Sequence, residues 1–345
     1  MSADALASAI RTLASGRSLD AEATAAAFDV LMRGDATSAQ TAALLMGLRV
    51  RGESAATVAG AAQALRHVMR TIDLPRPEGI VDTCGTGGGT LTTFNISTAA
   101  AFVAVAGGAR VAKHGNRSFT SACGSADVLE ALGIAIEVPI DRLPAIFDAT
   151  GIVFMFAPLM HPAMRHVGPV RRELGIATVM NIVGPLANPA RVGRQVIGVA
   201  DREKAPLLAD ALVQLGSRRA LVVHGAPGID EISPLGTTEV LEVRDGSVHA
   251  WQIEPAAYGF ARIAPDDLAG GSPAVNARII EDLLAGGGLP GAAAAVILNA
   301  AAALLVAERV PDFAAGVALA RDALHSGGGL SVLEALRAHA PRGTA

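Results

Sequence analysis

The sequence predicts an α/β protein: a small helical N-terminal domain followed by a larger α/β domain with a mostly parallel central sheet and flanking helices. Three observations carry that expectation. Residues 1–72 place apolar side chains at helical spacing and show no strand-like alternation. From Ile80 onward short apolar segments, glycine-rich loops and helical stretches alternate, the rhythm of strand–helix units on a parallel sheet. Between the two lies "TIDLPRPEG" (Thr71 to Gly79), where Pro75 and Pro77 break the pattern. The division is drawn at 1–72 and 73–345, with a helical segment near 162–190 at the domain interface. A chain of 345 residues has room for both parts.

Composition agrees. Hydrophobic residues are 51% and charged residues 17%, which supplies a core and leaves disorder to the termini. Aromatics are only 3% while alanine is abundant, so closely packed helices with small side chains are expected. A net charge of −4 without a long basic run speaks against nucleic acid or an anionic membrane as partner. The N-terminal "MSADALASAIRTLASG" carries Asp4 and lacks a continuous apolar core, so no signal peptide is expected. Cys84 and Cys123 both fall in glycine-rich loops. Two cysteines without a nearby histidine pair suggest neither a disulfide framework nor a zinc site, and a reduced, cytoplasmic compartment is the default.

The elements follow in order. A helix is expected over Ala21 to Met32 after a cap at Ser18. Thr37 with Gln40 forms a capping box that opens the next, to about Leu48, and Ser54 caps one through Val68. Then come a strand at Ile80 to Thr83, a helix at Asn95 to Ala106, a strand at Arg110 to Lys113 and a helix at Ser125 to Leu132. A strand at Ile152 to Phe156 precedes a helix from about Ala163 to Leu174, and further strands lie at Gln195 to Val199 and Ala220 to His224. After an antiparallel pair near Glu239 to Ile253 the chain turns mostly helical. Its longest apolar stretch, around Ala292 to Ala307, is interrupted by Asn299 and too short to span a bilayer, so it reads as a buried helix.

Function is concentrated in two loops. "CGTGGGTLTTFNIST" (Cys84 to Thr98) sits between a strand and a helix, where free N–H groups and the helix dipole attract an anion and glycines let it approach the backbone. No Lys-Ser/Thr follows the glycines, so this is no P-loop. Taken alone, it fits a glycine turn with an Asn95 cap equally well. The second loop, "KHGNRSFTSACGSADVLEALG" (Lys113 to Gly133), also follows a strand and is dense in donors. Two such loops after two parallel strands suggest a ligand with two anionic groups.

These strings resemble the anthranilate phosphoribosyltransferases, a family with the nucleoside phosphorylase-II fold. The resemblance continues through "FAPLMHPAMRHVGPVRRELG" (Phe156 to Gly175), "NIVGPLANPA" (Asn181 to Ala190) and "DEISPLGTTEV" (Asp230 to Val240), and covers essentially the whole chain. It implies transfer of the phosphoribosyl group of 5-phosphoribosyl 1-diphosphate to the amine of anthranilate, with release of pyrophosphate, in tryptophan biosynthesis. It further implies that Gly85, Gly88, Gly89, Thr93, Asn95, Ile96, Ser97 and Thr98 line the phosphoribosyl diphosphate. Lys113, His114, Gly115, Asn116, Arg117, Ser118, Phe119, Thr120 and Ser121, with Ser125, would close over it, Lys113 supplying a point charge near phosphate. Ser97, Asp230 and Glu231 match the Mg2+ positions; Gly85, Asn116 and Arg171 match those for anthranilate, Arg171 through its carboxylate. No catalytic nucleophile or base is implied, since positioning and leaving-group stabilisation suffice. A homodimer through the helical domain is implied as well. Where many members have Asp after GTGG, this chain has Gly89. Two other readings are a pyrimidine nucleoside phosphorylase, whose phosphate loop lacks KHGNR, and a nucleic-acid-binding relative, which the charge of −4 opposes.

Overall fold

The computed structural model describes residues 2–75, 78–118 and 122–342. Four helices come first: α1 (Ser2–Ala14), α2 (Ala21–Arg33), α3 (Ser38–Arg51) and α4 (Ala55–Val68). The alternating part follows as β1 (Ile80–Gly85), α5 (Ile96–Ala106), β2 (Arg110–Gly115), α6 (Ser125–Ala131), α7 (Leu143–Thr150), β3 (Ile152–Phe156), the single turn α8 (Ala157–Met160) and α9 (Met164–Leu174). Next are the short α10 (Met180–Val183), β4 (Arg194–Gly198), α11 (Ala205–Gln214), β5 (Arg219–Gly225), β6 (Thr238–Arg244) and β7 (Ser247–Ile253). Four helices close the chain: α12 (Pro273–Leu284), α13 (Pro290–Val306), α14 (Phe313–His325) and α15 (Gly328–His339).

Local chemistry sets these boundaries. The expected capping box forms at Thr37 with Gln40, and Ser54 caps α4 as expected, in a second box with Thr57 that was not expected. The cap of α2 is Asp20 and not Ser18: a capping side chain must stand directly before the first helical residue, and Asp20 accepts from Ala23 N at 2.8 Å. Helix α3 runs three residues past Leu48, with Arg49 and Arg51 in its last turn, where cations favour the helix dipole. Helices α7 and α11, for which no expectation was drawn, each carry a proline in the first turn, where its missing N–H is no loss.

The sheet has strand order β3-β2-β1-β4-β5-β6-β7. The first five are mutually parallel and the last two antiparallel. Alternate residues face different cores: Val196, Leu221 and Val223 point to one, Ile197, Ala220 and Val222 to the other. The first core holds α5, α13 and the C-terminal helices. The second joins α2 to α4 with the 163–187 stretch and α11. From β1 the chain moves outward through β2 and β3, then returns to place β4 on the other side of β1. A crevice at the carboxyl ends of β1 and β4 follows from that reversal, the usual ligand position in such sheets. No helix among the described residues is long and apolar enough to cross a membrane.

Helix α13 is the axis of the first core, buried over nearly its whole length. Its C-terminal carbonyls meet two arginines from the sheet: Arg194 donates to Val306 O at 2.8 Å and Arg219 to Leu305 O at 3.0 Å. Guanidinium groups at a helix C-terminus are favourably placed against its dipole.

Two histidines are shut in beside the sheet. His114 at the end of β2 and His161 after α8 bring their Nε2 atoms to 3.2 Å, so one ring donates and the other accepts. Burial holds His114 down to about 3, with His161 and Lys113 adding to the effect, and burial holds His161 down to about 4. The unfolded chain takes up protons near pH 6.5, which the folded rings refuse. Stability from this pair is therefore complete above pH 6.5 and declines as pH falls toward 4, by roughly 1.4 kcal/mol per pH unit for each histidine. Urea unfolding at successive pH values should show a shallower acid-side slope for His161→Asn than for the parent chain. Equal slopes would show that the pair titrates normally.

Candidate active site at the carboxyl ends of the strands

Four neighbouring strands, β2, β1, β4 and β5, end in Gly115, Gly85, Gly198 and Gly225. The reason at three of them is one turn, Asp230–Glu231, laid across the strand ends. A Cβ on Gly198 would overlap the Asp230 carbonyl, one on Gly85 the Asp230 carboxylate, and one on Gly225 the Glu231 carbonyl. Gly85 and Gly198 are direct partners in the β1–β4 register, so Asp230 seats on the switch point itself.

The two carboxylates are tied to the first loop. Gly87 N donates to Asp230 Oδ2 at 2.7 Å, and Ser97 N, at the start of α5, donates to Glu231 Oε1 at 3.0 Å. Burial lifts Asp230 above the usual carboxylate range. Glu231 is pushed up to about 8, by burial first and by Asp230 second, with Lys113 opposing. Two adjacent half-buried acids with raised pKa values are short of positive charge. Among the described residues no three His, Cys, Asp or Glu side chains gather as a metal cluster. A cation here would rest on Asp230, Glu231 and the Ser97 hydroxyl, with water and substrate oxygens completing its shell. That all-oxygen donor set fits magnesium and leaves room for phosphate.

Lys113 is placed differently from its expected role. Its side chain is buried, and Nζ donates to the Thr83 carbonyl and, at 3.2 Å, to the Ser97 hydroxyl. Burial lowers its pKa, and Asp82 and Glu231 work against that. The ammonium lies beneath the first loop and braces Ser97 from below. Asp82, fully buried on β1, accepts from His114 N at 3.1 Å and from Asn188 Nδ2 at 2.8 Å. Asn188 also donates to Ala112 O at 3.0 Å. This node pins both phosphate loops to the 184–190 segment.

In the first loop Gly87 and Gly88 have positive φ and open space where a Cβ would stand, which leaves that side of the turn open to a ligand. Gly89 has no such φ; a Cβ there would lie 3.3 Å from Gly228 O and 3.7 Å from Asp230 Oδ1. Thr93 bridges to Ala269, and Phe94 N donates to Leu268 O at 3.0 Å, so the loop's exit leans on the segment before α12. Asn95 does not cap α5. Its amide donates to Cys123 O at 3.2 Å and its oxygen accepts from Asn276 at 2.9 Å, linking the two loops instead. Ile96 and Thr98 point into the core.

In the second loop Asn116 Oδ1 accepts from Arg117 N, and Ser125 Oγ reaches Asn116 O at 3.4 Å. Asp127 gathers Ser118 N and Gly124 N at 3.1 and 2.9 Å. Arg117 is engaged by Asp127 at 3.0 Å and Glu130 at 2.5 Å, so it shapes the loop as an ion-paired strut. Phe119, Thr120 and Ser121 lie outside the described residues. Arg171, on α9, shares no hydrogen bond with either loop among the described residues; its guanidinium reaches Asn181 Oδ1 at 3.4 Å. Burial depresses its pKa.

Sequence reasoning passed over Asp82, Asn188, His161 and Asn276. Asn188 and His161 had a visible signal, their places in "NIVGPLANPA" and "FAPLMHPAMRHVGPVRRELG".

Known proteins carry the same architecture. Residues 77–330 match the model described as "Glycosyl transferase family, a/b domain", and residues 7–69 that of the "Glycosyl transferase family, helical bundle domain". The anthranilate phosphoribosyltransferase of Rubrobacter xylanophilus is 49% identical over 281 residues, 81% of this chain and 82% of the relative. That of Desulforudis audaxviator is 50% identical over 275 residues, 79% of each. The anthranilate phosphoribosyltransferase structure from Thermus thermophilus superposes with a TM-score of 0.90 at 42% identity, covering 96% of this chain and 98% of that one. The Saccharomyces cerevisiae enzyme, solved in complex with PRPP and Mg, gives 0.87 at 31% identity, covering 97% of each chain. The chain belongs to the anthranilate phosphoribosyltransferases of this glycosyl transferase family.

Proposed function

We propose that the crevice at the β1–β4 switch point binds 5-phosphoribosyl 1-diphosphate with Mg2+ and that anthranilate enters from the side of α9. The observation that carries this reading is the Asp230–Glu231 turn, two half-buried acids short of positive charge beside an open glycine loop. The yeast relative's complex with PRPP and Mg supports it, as does that enzyme's complex with 4-fluoroanthranilate. Gly85 to Gly89, Asn95 and Ser97 line the diphosphate side, with Asn116 to Ser118 and Ser125 over it. Ser97, Asp230 and Glu231 hold the ion, which neutralises the diphosphate as a leaving group.

The chain's own part is geometric. The open glycine turn at Gly88 and Gly89 and the dipole of α5 face the departing pyrophosphate, while the Gly87 and Ser97 N–H groups stay on Asp230 and Glu231. Loss of that group leaves an oxocarbenium-like ribosyl carbon, which a weak aromatic amine can attack once it is held in line. Arg171 and Asn116 hold the anthranilate so that its amine faces that carbon. Lys113 fixes Ser97, and the Asp82–Asn188 node keeps the two loops in register. We assign the chain to tryptophan biosynthesis in the cytoplasm. We take it as a homodimer through residues 1–72, where Val50 on α3 is 79% exposed; residues 73–345 form the catalytic domain.

The direct test mixes purified protein with anthranilate, phosphoribosyl diphosphate and magnesium and follows the loss of anthranilate fluorescence. Turnover should vanish in excess chelator and in Asp230→Asn. Full turnover in chelator would remove the metal from the reading.

Arg171→Ala should raise the anthranilate KM by roughly 30- to 150-fold, about 2–3 kcal/mol for a lost charge-assisted pair. The KM for phosphoribosyl diphosphate should change little. An unchanged anthranilate KM would place its carboxylate elsewhere.

Gly89 tests the charge balance. Its φ suits any residue, a Cβ there needs the Gly228–Ile229 backbone at 3.3 Å to give by a few tenths of an ångström, and a carboxylate would stand close to Asp230. Gly89→Asp should lower the magnesium concentration for half-maximal activity by about fivefold, on the order of 1 kcal/mol for one added charge. Gly89→Asn, of similar shape and no charge, should leave it in place. Superimposable magnesium profiles would make the position one of loop shape alone.

A further inference from the structure

Asn299 is the only polar side chain in α13, midway along a buried run of alanine, leucine and valine. A polar group there costs free energy unless every hydrogen-bonding atom is used. All are used. Oδ1 accepts from Ile232 N at 3.0 Å, and Nδ2 donates to Ile232 O and to Ala295 O, each at 2.9 Å. One amide thus grips both backbone groups of a single residue, and that residue is the one directly after Glu231.

We propose that Asn299 is a positioning residue for the diphosphate and metal site, acting through Ile232 to aim the Asp230–Glu231 turn at the strand ends. The proposal rests on the reading of that turn given above.

Three features make the grip directional. Ile232 is fully buried, so its N–H and C=O have no water to turn to. Asn299 and Glu231, with Thr83 and Ser97, line a narrow cavity of about 10 Å³, at most the room of one water. There is little slack between the helix and the Glu231 side chain to absorb a shift. The helix itself is fixed at its far end, where Arg194 and Arg219 hold its last carbonyls. Displacement of Ile232 would therefore move Glu231 and Asp230 against Ser97 and Gly87, whose backbone N–H groups they hold. A role limited to satisfying buried backbone would affect stability alone; the positioning role also affects one substrate and not the other.

The test uses the whole chain. In Asn299→Ser the hydroxyl can bond back to Ala295 O, four residues earlier, but is too short to reach Ile232. The variant keeps the helix bond and loses the grip. Calorimetric titration with phosphoribosyl diphosphate, magnesium present and anthranilate absent, should show affinity at least tenfold weaker than in the parent chain. The anthranilate KM should stay within twofold. Val296→Ala, which destabilises the same helix and keeps the Asn299 amide, should leave both constants unchanged at a comparable loss of melting temperature. If the serine variant melts too low for calorimetry, the rise in Tm on adding phosphoribosyl diphosphate and magnesium reads the same affinity, and Asn299→Ala serves as a second variant. Binding within twofold of the parent chain, or an equal loss in Val296→Ala, overturns the positioning role. If the parent chain binds phosphoribosyl diphosphate equally well in chelator, the metal reading of the turn falls, and this proposal with it. Metal-dependent binding in the parent that survives intact in Asn299→Ser removes the positioning role only.

Discussion

Everything at the site depends on how closely the Asp230–Glu231 turn lies on the sheet. Its main chain and carboxylate occupy the space where Cβ atoms of Gly85, Gly198 and Gly225 would stand. Parallel strands end in a row, and side chains at their ends normally fill the space above them. Removing three of those side chains lets a loop descend onto the sheet edge. Its acids are then half-buried among backbone groups instead of reaching out into water. The open side of the site is left to the turn at Gly87 and Gly88, whose positive φ values suit glycine. The strand-end glycines answer to close approach and the loop glycines to backbone conformation.

Burial on that scale creates an electrostatic imbalance. Asp82 lies deep and Asp230 and Glu231 are half-buried, each raised above the ordinary carboxylate range by burial. Lys113 is the buried cation among them, and its hydrogen bonds go to Thr83 and Ser97. One ammonium cannot neutralise three carboxylates. Asp82 is served by Asn188 and the His114 amide as well, which leaves the deficit at the Asp230–Glu231 pair. On the proposed function, a divalent cation arriving with a diphosphate would supply positive charge where the fold has left it out. This explains why the neutral histidine pair can sit close by. A protonated ring beside Lys113 would crowd two cations on one side of the site.

The fold was legible because its signals are local. The two capping boxes, the glycine loops after β1 and β2, and the strand–helix alternation can each be read within about a dozen residues. So was the family, through strings that stand in order along the chain. What stayed hidden joins distant residues. Asp82 and Asn188 are neighbours only because β1 pairs with β4 and the 184–190 segment crosses beneath. Asn95 and Asn276 meet across the whole catalytic part. The direction of Lys113 could not be read from its place in KHGNR, since strand register decides which face a side chain takes. Arg117, read as a ligand for phosphate, proves to be held by Asp127 and Glu130, ten and thirteen residues further on.

A reaction that needs no strong base shifts the demand for precision from reacting groups to their supports. With a nucleophile such as an activated serine, a few side chains carry most of the rate, and a loose scaffold can be tolerated elsewhere. Here the substrates supply the leaving group and the amine, and the protein supplies distances. Misplacement on the order of 1 Å can lower a rate about a hundredfold when positioning dominates. Polar residues deep in the core, which cost stability unless fully paired, therefore belong where an accurate distance is needed. Asp82, Lys113, Asn188 and Asn299 are all at most 4% exposed, and each bonds a segment that forms the crevice wall. The alanine-rich surroundings serve the same end, because small side chains let helices approach closely and give these few polar contacts short, stiff supports.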